Sequence, residues 1–81
     1  MRLVFTPHFV RSYSKAPTRI QQAFDKQSRF LLENLRHPSL HSKKFSESDD
    51  LWQSRVTGSW RFYFRIEGDA YLLDEIKAHP K

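Results

Sequence analysis

The sequence contains no cysteine. Three chemistries go with it: a disulfide framework, a thiolate metal site and a cysteine nucleophile. Long apolar runs are absent as well, and the longest is a few residues, far short of the roughly 20 that span a bilayer. Thr6, Pro7 and His8 interrupt the opening stretch MRLVFTPHF, so no signal-peptide core forms there and the cytoplasm is the expected compartment. Acidic residues are scarce: 9 Asp and Glu stand against 14 Lys and Arg, for a net charge of +5 with histidines neutral. That balance favours polyanionic partners, nucleic acid ahead of an anionic membrane.

Aromatic side chains are plentiful. Two Trp, three Tyr and seven Phe make up 15% of the chain, although apolar residues in total reach only 38%. These side chains bury the most area per residue and suffice for a small core. Such a composition argues against disorder. With 81 residues the chain is read as a single domain over 1–81. A domain of this size buries only roughly 60% of its unfolded surface, so modest stability is expected.

The chain changes period halfway. Residues 2–5 (RLVF) are β-prone. Thr6-Pro7 then supplies an N-cap with proline at the first helical position, and Phe9, Val10 and Tyr13 follow at helical spacing, which predicts a helix over about 7–15. After Pro17, residues Ile20, Ala23, Phe24, Gln27, Leu31 and Leu35 recur at helical intervals, with Arg19, Gln22, Lys26 and Arg29 on the opposite face. Pro38 is expected to end this second helix. Residues 36–50 read as a polar loop with one edge strand around Lys43–Phe45. LWQSRVT, SWRFYFRIE and AYLLDEIKAH are three β-type runs, separated by the hairpin signals Gly58-Ser59 and Glu67-Gly68-Asp69. The expected fold is therefore α+β, in the order β-α-α-β-β-β, with two N-terminal helices packed on one face of an antiparallel sheet.

Strand alternation sorts the side chains of the meander into two sets. Trp52, Val56, Trp60, Phe62, Phe64, Ile66, Leu72 and Ile76 form an apolar set, assigned to the helix-covered face. The other set holds Gln53, Arg55, Arg61, Tyr63, Arg65, Tyr71, Leu73, Glu75, Lys77 and His79. Asp74 falls on the apolar parity, which a bulge near it would repair. An open sheet face in water commonly carries charges. Such a face usually mixes signs, whereas this one is strongly positive and interleaves tyrosines, the combination that holds single-stranded nucleic acid through phosphate contacts and base stacking. Lys43-Lys44 adds a basic step in the preceding loop. His8, His37, His41 and His79 show no metal-ligand spacing, and Pro38 breaks any helix between His37 and His41, so no metal or other cofactor is expected.

The element order, the segment LRHPSLHSKKF and above all DLWQSRVTGSWRFYFRIEGDAYLLDEIKAH resemble the RelE/ParE superfamily of bacterial toxins, nearest the RelE and YoeB branch of messenger-RNA interferases. The resemblance runs over nearly the whole chain and is most specific at Trp52, Arg55, Val56 and Thr57, followed by Arg61 and an aromatic-rich strand. It implies a RelE-like fold and the toxin of a type II toxin–antitoxin system. Such a toxin works on the ribosome, where the ribose 2′-OH of messenger RNA attacks the adjacent phosphate without a metal and leaves a 2′,3′-cyclic phosphate. It also implies that Arg61 stabilises the phosphate, with Arg55 beside it and His79 at the position of a C-terminal histidine. Lys43, Lys44, Tyr63, Arg65, Lys77 and Lys81 are then expected to bind RNA. The partners implied are a cognate antitoxin, the ribosome and messenger RNA, with no membrane. Lys43 stands near the place of a carboxylate base, and Pro80 and Lys81 follow His79 where a terminal tyrosine is usual, which leaves Glu75 as an alternative base. A ParE-type poison of DNA gyrase and an inactive antitoxin-binding relative share the same fold.

Overall fold

The computed structural model describes residues 1–80. Lys81, expected among the RNA-binding residues, lies outside them. The elements are β1 (Arg2–Phe5), α1 (Pro7–Lys15), α2 (Thr18–Glu33), a single 3-10 turn (Pro38–Leu40), β2 (Lys43–Ser46), β3 (Leu51–Thr57), β4 (Trp60–Glu67) and β5 (Ala70–Ala78). Helix α1 starts where the sequence says it should: Thr6 is extended, its Oγ1 accepts from the Phe9 N–H at 3.1 Å, and Pro7 takes the first position, where a missing N–H costs nothing. Among the described residues no helix is long and apolar enough to cross a membrane.

Helix α2 stops at Glu33, earlier than Pro38 requires. Asn34 is extended, its N–H closes onto Phe30 O at 2.9 Å, and its side-chain Oδ1 accepts from the Arg36 N–H at 2.9 Å. That local alternative to helical bonding is the habit of asparagine and ends the helix here. Pro38 instead opens the 3-10 turn, which buries Leu40 completely.

The sheet has five strands in the order β1-β5-β4-β3-β2. β3 through β5 form the expected antiparallel meander, and β2, at the place of the edge strand expected around Lys43–Phe45, pairs with β3 and adds one strand to the expected order β-α-α-β-β-β. β1 corrects the expectation of a purely antiparallel sheet: it lies parallel to β5, with Arg2 opposite Ala70 and Phe5 opposite Leu73. Helix α1 and the rest of the chain form the crossover that a parallel pair needs.

The core lies between the helices and one sheet face. Phe9, Ile20, Phe24 and Leu31 come from the helices, and Val56, Phe62, Phe64, Tyr71, Leu73 and Ile76 from the sheet. Phe24 is the hub, with ring centroids 5.1 Å from Phe9, 5.1 Å from Phe62 and 5.9 Å from Tyr13.

A bulge in β5 corrects the expected faces of Tyr71, Leu72 and Leu73. Tyr63 pairs with Glu75, but the next residue, Phe64, pairs with Leu73, so Asp74 is the extra residue. The parity reverses on the N-terminal side of the bulge: Tyr71 and Leu73 point into the core and Leu72 sits opposite Arg65. Beyond the bulge Glu75 and Lys77 keep the face that the alternation assigned them, opposite Tyr63 and Arg61.

Candidate functional site

Side chains directly opposite one another across adjacent strands stand on the same face. The register therefore lays Arg55, Arg61 and Lys77 in one transverse row across β3, β4 and β5, and Lys43, Gln53, Tyr63 and Glu75 in the next row, on the face away from the helices. Like charges directly opposite repel. Carboxylates offset such repulsion elsewhere in the molecule: Arg2 pairs with Asp69 at 3.3 Å and Arg65 with Asp74 at 3.2 Å. Among the described residues no carboxylate pairs with Arg55, Arg61 or Lys77. The row is a concentration of positive charge that the protein leaves uncompensated.

Arg61 is held rather than free to swing. It is only 9% exposed, and its Nη1 donates to the carbonyls of Thr57 at 2.7 Å, Trp60 at 3.0 Å and Gly58 at 3.2 Å. One guanidinium nitrogen is thus spent on the β3–β4 turn, while the edge formed by Nε and Nη2 makes no hydrogen bond among the described residues. Burial, and then the neighbouring Arg55 guanidinium, pull Arg61 below the usual arginine range, with Tyr63 opposing. An arginine shifted in this direction stays charged at neutral pH. The shift records how poorly the free protein solvates the charge.

Arg55 faces Arg61, and its buried Nε has no hydrogen-bond partner. Its backbone is fixed from beneath by Gln27 of α2, 2% exposed, whose Nε2 donates to Arg55 O at 2.8 Å and to Ser39 O at 3.1 Å. Gln27 Oε1 accepts from the Ser39 hydroxyl at 2.9 Å. A fully bonded buried amide of this kind locks helix, 3-10 turn and strand together. In the sequence its only trace is a polar residue on the apolar stripe of α2.

Tyr63 is 5% exposed, with Phe45 edge-on at 5.0 Å and Lys77 Nζ 5.3 Å from the ring centre. Burial pushes its hydroxyl up, Glu75 adds to this and Arg61 opposes it, so Tyr63 remains protonated. Phe45 is 56% exposed. It is an exposed apolar surface beside Tyr63 on this face.

The two lysines of the basic step separate. Lys43 pairs with Gln53 on the cationic face. Lys44 sits opposite Trp52 on the other face, its Nζ 5.5 Å from that ring and ion-paired to Asp50 and, at 3.7 Å, to Glu47. Arg65 belongs to the cationic face, but Asp74 neutralises it. His79 follows β5 and is exposed; its N–H donates to Ser59 O at 2.7 Å, carrying the β4–β5 pairing one step beyond Trp60 and Ala78. The Thr57–Ser59 turn therefore holds Arg61 from one side and the His79 backbone from the other. Glu75 is engaged by His8 across the end of α1, Nε2 to Oε2 at 2.6 Å, a contact between residues far apart in sequence.

No protein-family profile and no curated protein matches this sequence. Solved structures do match. The YoeB dimer from Staphylococcus aureus aligns with a TM-score of 0.80 at 12% identity, covering 99% of this chain and 98% of that one. The YoeB/ParE toxin from Agrobacterium tumefaciens aligns at 0.79 and 17% identity, over 99% and 100% of the two chains. The toxin–antitoxin complex RelBE2 from Mycobacterium tuberculosis aligns at 0.76 and 20% identity, over 96% of each. End-to-end coverage at such low identity is a likeness of architecture, and the architecture of this chain is the RelE-like α+β fold of those toxins.

Proposed function

We propose that this protein is the toxin of a toxin–antitoxin pair and a ribosome-dependent endoribonuclease acting on messenger RNA in the cytoplasm. The observation that carries the reading is the uncompensated Arg55–Arg61–Lys77 row on a RelE-like sheet. In 2′-OH attack on a phosphodiester, negative charge builds on the phosphorane oxygens, and preorganised cations placed there lower the barrier most. The free Nε–Nη2 edge of Arg61 matches two phosphate oxygens in fork geometry. Arg55 and Lys77 flank it and supply charge that a metal would supply in other nucleases. His79, on one side of the row just beyond Lys77 along β5, protonates the departing 5′-oxygen, and the product is a 2′,3′-cyclic phosphate. The partner that silences this face is an antitoxin polypeptide carrying acidic residues; the RelBE2 structure is a toxin–antitoxin complex.

Primer extension on a reporter transcript after induced expression tests the reading. Cuts confined to translated codons, with growth arrest, support it. DNA damage with an intact transcript points to a gyrase poison instead, and expression without growth arrest points to an inactive relative.

The face difference between the two lysines gives a sharper test. Lys43→Ala is expected to weaken binding to ribosomes and to lower the slope of log affinity against log salt by about one, as one phosphate contact does. Lys44→Ala is expected to leave both unchanged, because its charge is paired on the opposite side. Binding measured over a salt series distinguishes the two.

A further inference from the structure

Glu75 stands on the cationic face, one row from Arg61, yet its carboxylate is already occupied. Oε2 lies 2.6 Å from His8 Nε2, and Oε1 accepts from the Ile76 N–H at 2.9 Å. Burial favours the protonated acid, but the Ser12 hydroxyl, His8 and the Ile76 N–H outweigh it and hold Glu75 below the usual carboxylate range. An ionised carboxylate can only accept, so the proton in the 2.6 Å bond belongs to Nε2. A neutral imidazole carries one ring proton, which leaves Nδ1 as an acceptor. Nδ1 of His8 makes no hydrogen bond among the described residues, and the side chain is 58% exposed. The ring is fixed in place by the first turn of α1, capped by Thr6 and stiffened by Pro7. His8 and Glu75 line a cavity of about 410 Å³ that Phe45, Tyr63 and Lys77 also line.

We propose that His8 is the general base of the cleavage step and that Glu75 is the positioning residue behind it, fixing its tautomer. The inference rests on the endoribonuclease reading above. His8 Nδ1 takes the proton of the ribose 2′-OH as the 2′-oxygen forms its bond to phosphorus. The phosphorane charge falls against Arg61, Arg55 and Lys77. The bond from phosphorus to the 5′-oxygen then breaks, its electron pair stays on oxygen, and that oxygen takes a proton from His79. The products are a 2′,3′-cyclic phosphate and a free 5′-hydroxyl, with one proton moved from one histidine to the other.

Placement along β5 agrees with in-line displacement. Glu75, Lys77 and His79 are alternate residues of one extended segment, so at about 3.3 Å per residue roughly 7 Å separates Lys77 from each neighbour. Base and acid thus lie on opposite sides of the cationic row. The groups facing His8 are Glu75, Asp74 and Lys77 from β5, Arg65 and Tyr63 from β4, and Ser12 from its own helix. Glu75 and Lys77 carry opposite charges on this side of the ring, and Arg65 and Asp74 answer each other. A protonated His8 has no lone pair to offer, so cleavage should rise with pH along an acid limb that belongs to His8.

Single-turnover cleavage of ribosome-bound message, followed across acid and neutral pH, tests this. His8→Gln keeps an amide donor for Glu75 but removes the base; it should cut about 100-fold more slowly or worse and lose the acid limb, with an unchanged melting temperature. Glu75→Gln should also slow cleavage while leaving the fold intact. Nitrogen NMR of the free wild-type protein should find the proton on Nε2 of His8, and a proton on Nδ1 instead overturns the proposal without reference to activity. If His8→Gln cuts at the wild-type rate with the same acid limb while Arg61→Ala cuts nothing, the His8–Glu75 bond is a structural tie and the proposal falls alone. If the wild type leaves ribosome-bound message intact, the endoribonuclease reading falls first and takes the proposal with it.

Discussion

Arg61→Ala is expected to reduce cleavage of ribosome-bound message by about 100-fold or more and to abolish growth arrest, with the fold retained. The rate loss follows from removing a preorganised cation from the place where phosphorane charge develops. Two opposing effects keep the stability change small. The side chain gives up hydrogen bonds to three turn carbonyls, those of Thr57, Gly58 and Trp60. Bonds to a charged donor contribute about 1.5–3 kcal/mol, although carbonyls in a surface turn recover water. Against that, the substitution removes a largely buried charge, which burial and then the neighbouring Arg55 disfavour. Arg61→Lys is expected to lose most of the activity as well, because a single ammonium cannot both hold the turn carbonyls and offer a fork to phosphate. Single-turnover rates and melting curves for both variants check this; a fully active Arg61→Ala would remove the site from the cationic row.

The second large effect is on stability. Phe24→Ala is expected to destabilise the protein by about 3–5 kcal/mol, the usual cost of emptying a buried phenylalanine site. Phe24 is 2% exposed and touches both helices and the sheet at once, through Phe9, Tyr13 and Phe62. Small domains have only about 5–15 kcal/mol to lose, and each kcal/mol moves the melting temperature of a domain this size by roughly 4–8 °C. A fall of about 12 °C or more is therefore expected, by that same scaling of about 4–8 °C per kcal/mol. Phe45→Ala, at a phenylalanine 56% exposed on the opposite face, should barely move the transition. Thermal denaturation followed by circular dichroism measures both, and equal losses at the two positions would mean that the core is not where the structure puts it.

Local signals in the sequence were faithful, and distant pairings were not legible. Thr6-Pro7 marks the start of α1 because capping is decided within three residues. Alternation put Arg55, Arg61 and Lys77 on one face because a strand has period two, and the register agrees. The same rule applied to Lys43 and Lys44 separates them, as neighbours in a strand must separate. Tyr71, Leu72 and Leu73 were assigned to the wrong face because one extra residue, Asp74, shifts the phase; a carboxylate on the apolar parity hinted at the bulge, but not on which side of it the phase would change. Nothing in RLVF says that it pairs with residues 70–73 rather than standing alone, or that it does so in parallel. The His8–Glu75 bond is equally silent, since it depends on where α1 comes to rest against β5.

The place of β1 also bears on when the molecule takes shape during synthesis. β1 is the first strand translated, and its sole sheet partner, β5, is the last of the eight elements. β5 also pairs with β4 and carries Glu75, Lys77 and the approach to His79. Contacts so distant along the chain form slowly, because the loop between them must close before any pairing repays it. A nascent chain that has made β1, both helices and even β3 still has an open sheet and only Arg55 of its three-residue cationic row. On the proposed reading, the face that acts on translated message is therefore assembled only after the ribosome has finished with β5.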